Sequence, residues 1–311
     1  MSKILMVSSP GGSRGPANAF SNHVSAIESS KKHTIKDISM FDNIGALSDF
    51  DVFWFSVRFH PDLYFLLKRE YPDKKFLMGP NVLFEKAEIG PSDPWEKWFV
   101  ENVECDIYCN KADFYLDRVR EFYKGSNKYE VLRNCINLSH YESVIESSEK
   151  RDIDVLIYYK NRRIDNQLTD LFPVFMERFG KLGLTSKVIE YGNYNREDYF
   201  KLLGRSKSCV WLSIEDFCAN AQLEAQYFNV PVIGTRFNCT DTYDHDLNVD
   251  AANIDSTSWI TWKEDMPDLF CKKILELHSE KIVDVGNKPS DFIKENYSYG
   301  AYISQLDRIL E

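Results

Sequence analysis

Four short segments of this 311-residue chain gather groups suited to a charged, hydroxylated ligand. Ser8-Ser9-Pro10-Gly11-Gly12-Ser13 follows an apolar run and precedes a helical one. Gly11 and Gly12 carry no Cβ to keep backbone N–H groups away from a bound anion or sugar. His60, in the run Ser56-Val57-Arg58-Phe59-His60-Pro61, is a candidate hydrogen-bonding partner for a transferred sugar or an acceptor hydroxyl. Lys160, Arg162 and Arg163 stand directly after another apolar run. Two planar guanidinium groups and a compact ammonium group there suit a diphosphate. In Ser213–Ala225, Glu215 and Asp216 precede a helical stretch that contains Asn220 and Glu224. Free N–H groups at such a helix start bind phosphate, and Glu224 can accept hydrogen bonds from ribose hydroxyls. Each segment also has a plainer reading: a tight turn, a structural histidine, a solvated charge run and a helix cap.

Other chemistries find no support. There is no H-E-x-x-H, no paired C-x-x-C, no G-x-S-x-G, no G-x-G-x-x-G and no Walker lysine. Asp152-Ile153-Asp154 precedes a strand, the wrong end for a metal-held donor, so no metal is expected. The seven cysteines are odd in number and scattered, which suits reduced thiols rather than a disulfide framework. The formal charge of −10 argues against a nucleic-acid partner. No run approaches the ~20 apolar residues of a membrane span. Met1-Ser2-Lys3 leads straight into a strand-like run without an apolar leader, so the expected location is the cytoplasm. Trp95, Trp98 and Phe99 form an aromatic cluster that reads as core, or as a contact with an acceptor or a membrane surface.

The elements that must position these residues alternate. Strand-like runs at Lys3–Ser9, His33–Ser39, Val52–Val57, Lys75–Gly79, Cys105–Asn110 and Tyr129–Arg133 are mostly continuous apolar stretches, as parallel strands covered on both faces require. Helical patterns at Asn18–Ser29, Pro61–Tyr71 and Lys111–Tyr123 lie between them. After a polar stretch, Glu142–Asp152, the alternation restarts. Strands are expected at Asp154–Tyr159, Lys187–Tyr191, Cys209–Ser213 and Pro231–Thr235, with helices at Asn166–Lys181, Arg196–Leu203 and Ala221–Phe228. Residues Asn287–Glu311 hold a final amphipathic helix. The fold class is therefore α/β: two doubly wound, Rossmann-like domains facing each other across a cleft. Their expected bounds are 1–137 and 138–290, with 291–311 packing back on the first.

Leu212–Gly234 resembles the nucleotide-sugar signature of retaining GT-B glycosyltransferases, family four in particular. Ser213, Glu224, Ala225 and Val230-Pro231-Val232 fall in register with it. Asp216 replaces the first glutamate, and Glu215 stands one position out of register. Gly11-Gly12 followed by His23-Val24, and Val131–Asn137, resemble the family's glycine loop and linker opening. The resemblance implies that Lys160 with Arg162 or Arg163 holds the donor diphosphate. It further implies that Tyr191 and Gly192 meet the nucleobase, that Glu224 holds the ribose, and that Asp216 or Glu215 holds the sugar hydroxyls. The function expected is metal-independent, retaining transfer from a UDP- or GDP-linked sugar, a co-substrate rather than a cofactor, to a glycan, lipid-linked or other small acceptor. Peripheral membrane contact is compatible with it. The alternatives are a nucleotide-sugar epimerase on the same fold and a non-catalytic binding or scaffold protein.

Overall fold

The computed structural model describes residues 1–7, 14–37, 46–82, 91, 93–111, 113–141, 151–159, 171–190, 192–212, 220–235, 248–249, 259–279 and 288–311. The chain divides into two compact units, Met1–Asn137 with Tyr297–Glu311, and Leu138–Asn296. Both are α/β and Rossmann-like.

In the first unit the strands are β1 (Lys3–Val7), β2 (Thr34–Asp37), β3 (Val52–Val57), β4 (Lys75–Asn81), β5 (Cys105–Asn110) and β6 (Ser126–Val131). They form a parallel sheet in the order β2-β1-β3-β4-β5-β6. Helices α1 (Arg14–Ser30), α2 (Pro61–Glu70), α3 (Pro94–Asn102) and α4 (Asp113–Phe122) connect them. Successive strand residues point to opposite faces, and both faces are covered. Leu5, Phe53, Phe55, Phe76 and Met78 pack with Tyr64, Leu67 and Phe99 on one side. Ile4, Met6, Trp54 and Leu77 pack with Ala26, Ile27, Tyr302 and Leu306 on the other.

Two local expectations change here, at β4 and at the terminal helix, and the aromatic cluster read as core also proves helical. β4 runs on through Gly79 and Pro80 to Asn81 instead of stopping at Gly79. Gly79 has φ +95°, and a Cβ there would lie 2.0 Å from the carbonyl oxygen of Cys109. Trp54 Nε1 donates to the Gly79 carbonyl at 2.7 Å. The cluster of Trp95, Trp98 and Phe99 belongs to a helix, α3. Asp93 caps it by accepting from the Glu96 N–H at 2.9 Å, and Pro94 opens it. Phe99 is buried, and both tryptophans are half-buried against the same core. The terminal helix is two helices, which are numbered last below. Ser298 separates them and caps the second, accepting from the Ala301 N–H at 3.2 Å.

In the second unit the strands are β7 (Ile153–Tyr159), β8 (Ser186–Glu190), β9 (Ser206–Leu212), β10 (Val232–Thr235) and β11 (Asn248–Val249). They too are parallel, in the order β11-β10-β9-β7-β8. Its helices are α5 (Phe172–Lys181), α6 (Arg196–Arg205), α7 (Asn220–Tyr227), α8 (Trp259–Ser279) and α9 (Lys288–Tyr297); α10 (Tyr299–Leu310) returns to the first unit. α8 is absent from the sequence reading, because Pro267 interrupts its pattern. Met266, Phe270, Ile274 and Leu277 nevertheless keep helical spacing and bury against Val155, Ile157, Val210 and Ile233. In each sheet the unit's first strand lies between its second and third. The winding direction therefore reverses between β1 and β3, and between β7 and β9, where ligand crevices form in such sheets.

Candidate functional site

Three neighbouring strands of the second unit stop at one level. Tyr159, which ends β7, pairs with Glu190 at the end of β8 and with Leu212 at the end of β9. The segments that follow them in sequence carry, respectively, Lys160, Arg162 and Arg163; Tyr191 and Gly192; and Glu215 and Asp216. Three stretches far apart in the chain thus leave one edge of one sheet, on either side of its reversal point. Lys160, Arg162, Arg163, Tyr191, Glu215 and Asp216 lie outside the described residues, as do Gly11 and Gly12 after β1.

Gly192 is described, and its conformation explains its residue type. It has φ +80° and open space where a Cβ would be, so the turn selects glycine by backbone angle. The turn closes through the Asn193 N–H, which donates to the Glu190 carbonyl at 3.0 Å. Asn195 then caps α6, its side chain accepting from the Glu197 N–H at 2.9 Å.

α7 is fixed at both ends. At its start, Tyr199 Oη donates to the Ala221 carbonyl at 2.6 Å. The Asn220 Oδ1 is buried without a hydrogen-bond partner. At its end, Asn229 takes a left-handed conformation (φ 53°), and the Val230 N–H reaches back to the Ala225 carbonyl at 2.9 Å. Arg151 donates to the carbonyls of Phe228 and Asn229 at 3.0 Å each. Pro231 can then follow, since the helix has already ended.

Glu224, halfway along α7, is only 3% exposed. Arg196 Nη2 donates to its Oε1 at 2.7 Å, and Tyr141 Oη donates to the same oxygen at 2.9 Å. Arg196 Nη2 also lies 2.9 Å from Tyr141 Oη, and its guanidinium sits over the rings of Tyr141 (5.9 Å) and Phe200 (5.4 Å). Burial raises the Glu224 pKa, and the two donors offset only part of that cost. Burial also raises the Tyr141 pKa, helped by the adjacent carboxylate, so the phenol stays a donor. The sequence reading selected Glu224 but missed Tyr141 and Arg196. They stand 83 and 28 residues away from it, and no spacing rule connects the three.

In the first unit His60 caps α2, its Nδ1 accepting from the Asp62 N–H at 3.4 Å, and its side chain is 74% exposed. Beside it Arg58 is committed to α3. Its Nη2 lies 2.6 Å from Asp93 Oδ2 and 2.8 Å from the buried Glu96 Oε1. Asp152 and Asp154 have structural partners: Arg205 at 2.6 Å and Lys207 at 2.6 Å. Among the described residues no group of three or more His, Cys, Asp or Glu could hold a metal ion, and no helix is long and apolar enough to cross a membrane.

No protein-family model and no curated protein sequence matches the chain. Solved structures do match along its whole length. Sucrose-phosphate synthase from Thermosynechococcus elongatus superposes with a TM-score of 0.68 at 10% identity, covering 100% of this chain and 98% of that one. HepE of Anabaena, in complex with UDP-glucose, gives 0.65 at 10% identity, covering 100% and 99%. An alpha-glucosyltransferase in complex with UDP gives 0.56 at 11% identity, covering 100% of both chains. The chain has the GT-B fold. At these identities the likeness is one of fold alone, and the expected fold class holds in its two doubly wound Rossmann-like units.

Proposed function

We propose that this GT-B protein is a cytoplasmic glycosyltransferase that moves a sugar from a UDP- or GDP-linked donor to a small acceptor, with retention and without a metal. The observation that carries the reading is the common edge of β8, β7 and β9. Residue types suited to nucleobase, diphosphate and sugar follow those three strands, and Glu224 is held by a cation close in sequence to the base-contacting turn. Full-length likeness to HepE bound to UDP-glucose and to an alpha-glucosyltransferase bound to UDP supports the same ligand class.

In this reading the second unit binds the donor. Tyr191 and Gly192 face the nucleobase, and Glu224 accepts from the ribose. The phosphate approaches Asn220 at the start of α7, and Asp216 or Glu215 takes the sugar hydroxyls. Lys160, Arg162 and Arg163 neutralise the charge that grows on the departing diphosphate. The bond from the anomeric carbon to the phosphate oxygen breaks, and the acceptor oxygen bonds to the same face. A phosphate oxygen takes the acceptor's proton, so no protein base is required. Gly11, Gly12 and His60 belong to the acceptor-binding unit.

The test mixes the full chain with a panel of UDP- and GDP-linked sugars and follows melting temperature, nucleotide release and sugar identity. The expected result is a rise in melting temperature with one nucleotide class, with nucleotide release that persists in chelator. Sugar isomerisation without nucleotide release would identify an epimerase. A thermal shift without turnover would identify a binding protein, and no shift with any donor would end the proposal.

A further inference from the structure

The cluster around Glu224 has an asymmetry that a purely structural ion pair does not need. Both hydrogen bonds fall on Oε1, and Oε2 takes neither. The acid is almost fully buried, whereas the Arg196 side chain is 49% exposed, so the pair opens to solvent on the arginine side. Tyr141 is fully buried, edge-on to Phe200 at 4.9 Å, so its hydroxyl has a fixed position. We infer that Arg196 and Tyr141 are positioning residues of the donor site: they anchor Glu224 through Oε1 and leave Oε2 to accept the vicinal hydroxyls of a ribonucleotide. The inference rests on the donor reading above and adds to it a selectivity for ribo- over deoxyribonucleotides.

Only an ionised carboxylate accepts from two hydroxyls at once; a protonated one becomes a donor itself. Burial favours protonation of Glu224, and Arg196 is the charged group that opposes it. The other groups facing the acid do not replace it. Tyr141 is a neutral donor, and Tyr199, whose phenol is held neutral by burial, donates its hydrogen bond to the Ala221 carbonyl. From α9, Lys294 lies over the Tyr227 ring at 5.9 Å rather than against the carboxylate.

The test titrates the full chain with UDP and with GDP between about pH 6 and pH 8.5. It takes the ratio of variant to wild-type Kd at each pH, so that the ligand's own titration cancels. Arg196→Gln should weaken the preferred nucleotide about tenfold at the acidic end and less at the basic end, where Glu224 ionises even without its partner. Arg196→Lys, which keeps the charge, should stay within about threefold with little pH dependence. The 2′-deoxy nucleotide should bind wild type and Arg196→Gln alike. A ratio near one, a ratio independent of pH, or equal weakening of ribo and deoxy ligands would overturn the inference while leaving the donor reading intact. A wild-type chain that binds neither nucleotide would overturn both. If Arg196→Gln does not fold, Tyr141→Phe carries the test, with a severalfold loss expected and the same preference for the ribo ligand erased.

Discussion

Tyr158 on β7 and Trp211 on β9 lie directly opposite each other and stack with ring centroids 3.9 Å apart and planes 11° from parallel. The pair stands one residue before both strands end, at the edge from which Lys160 and Asp216 follow. The two rings therefore belong both to the packing of the sheet and to the spacing of the proposed donor-binding segments. Trp211→Ala should cost roughly 3–5 kcal/mol in denaturant unfolding and abolish nucleotide binding at temperatures where the variant is still folded. Wild-type affinity in a folded Trp211→Ala chain would uncouple the strand spacing from the site.

Glu224 should cost stability at neutral pH. Its folded pKa is raised above the ordinary value of 4.5, so the folded chain holds the proton more tightly than the unfolded one. That cost is absent below pH 4.5 and grows as pH rises toward the folded value. Removing the acid leaves Arg196 half-exposed and able to turn to solvent. Glu224→Gln should therefore melt at or above the wild-type temperature near pH 7.5, with the advantage shrinking below pH 5. A large loss of stability would make the acid a structural ion-pair partner.

Asp154 should behave in the opposite way. Burial disfavours its charge, but Lys207 and the side chain and N–H of Thr185 outweigh burial and hold the carboxyl at about 2. Its contribution is present above its ordinary value of 3.8 and is lost as pH falls through about 2. Asp154→Asn should lose on the order of 2 kcal/mol at pH 7, and the gap to wild type should narrow below pH 4. Urea unfolding at both pH values measures it. Nucleotide affinity should not change, because Asp154 begins β7 at the edge opposite the proposed site.

Gly79 should tolerate no side chain. Its φ of +95° is unfavourable for an L residue, and a Cβ would meet the backbone oxygen of Cys109 at 2.0 Å, which cannot move without shifting β5. Gly79→Ala should cost at least about 2 kcal/mol in equilibrium unfolding. A smaller loss would mean that β4 and β5 separate easily at this point.

What the amino-acid sequence determined by itself was the alternation of elements and the residue types at their ends. Val52–Val57 and Cys105–Asn110 were legible to the residue, because strands covered on both faces are mostly apolar, with only Ser56, Asp106 and Asn110 polar in these two. The helix expected at Ala221–Phe228 was legible within one residue at each end, as Asn220–Tyr227, through the pattern that closes on Val230-Pro231-Val232. α3 and α8 were not read as helices: the first is a short aromatic run held by its Asp93 cap, and the second contains a proline. The partners of a buried charge were not legible at all. Burial of Glu224 demands a cation or donors, but sequence says only that something must compensate. Which residues do so depends on how Arg196 of α6 and Tyr141 come to meet Glu224 of α7, and that is settled by long-range contact. The same holds for the common level of Tyr159, Glu190 and Leu212, since strand register comes from the assembled sheet and not from any one strand.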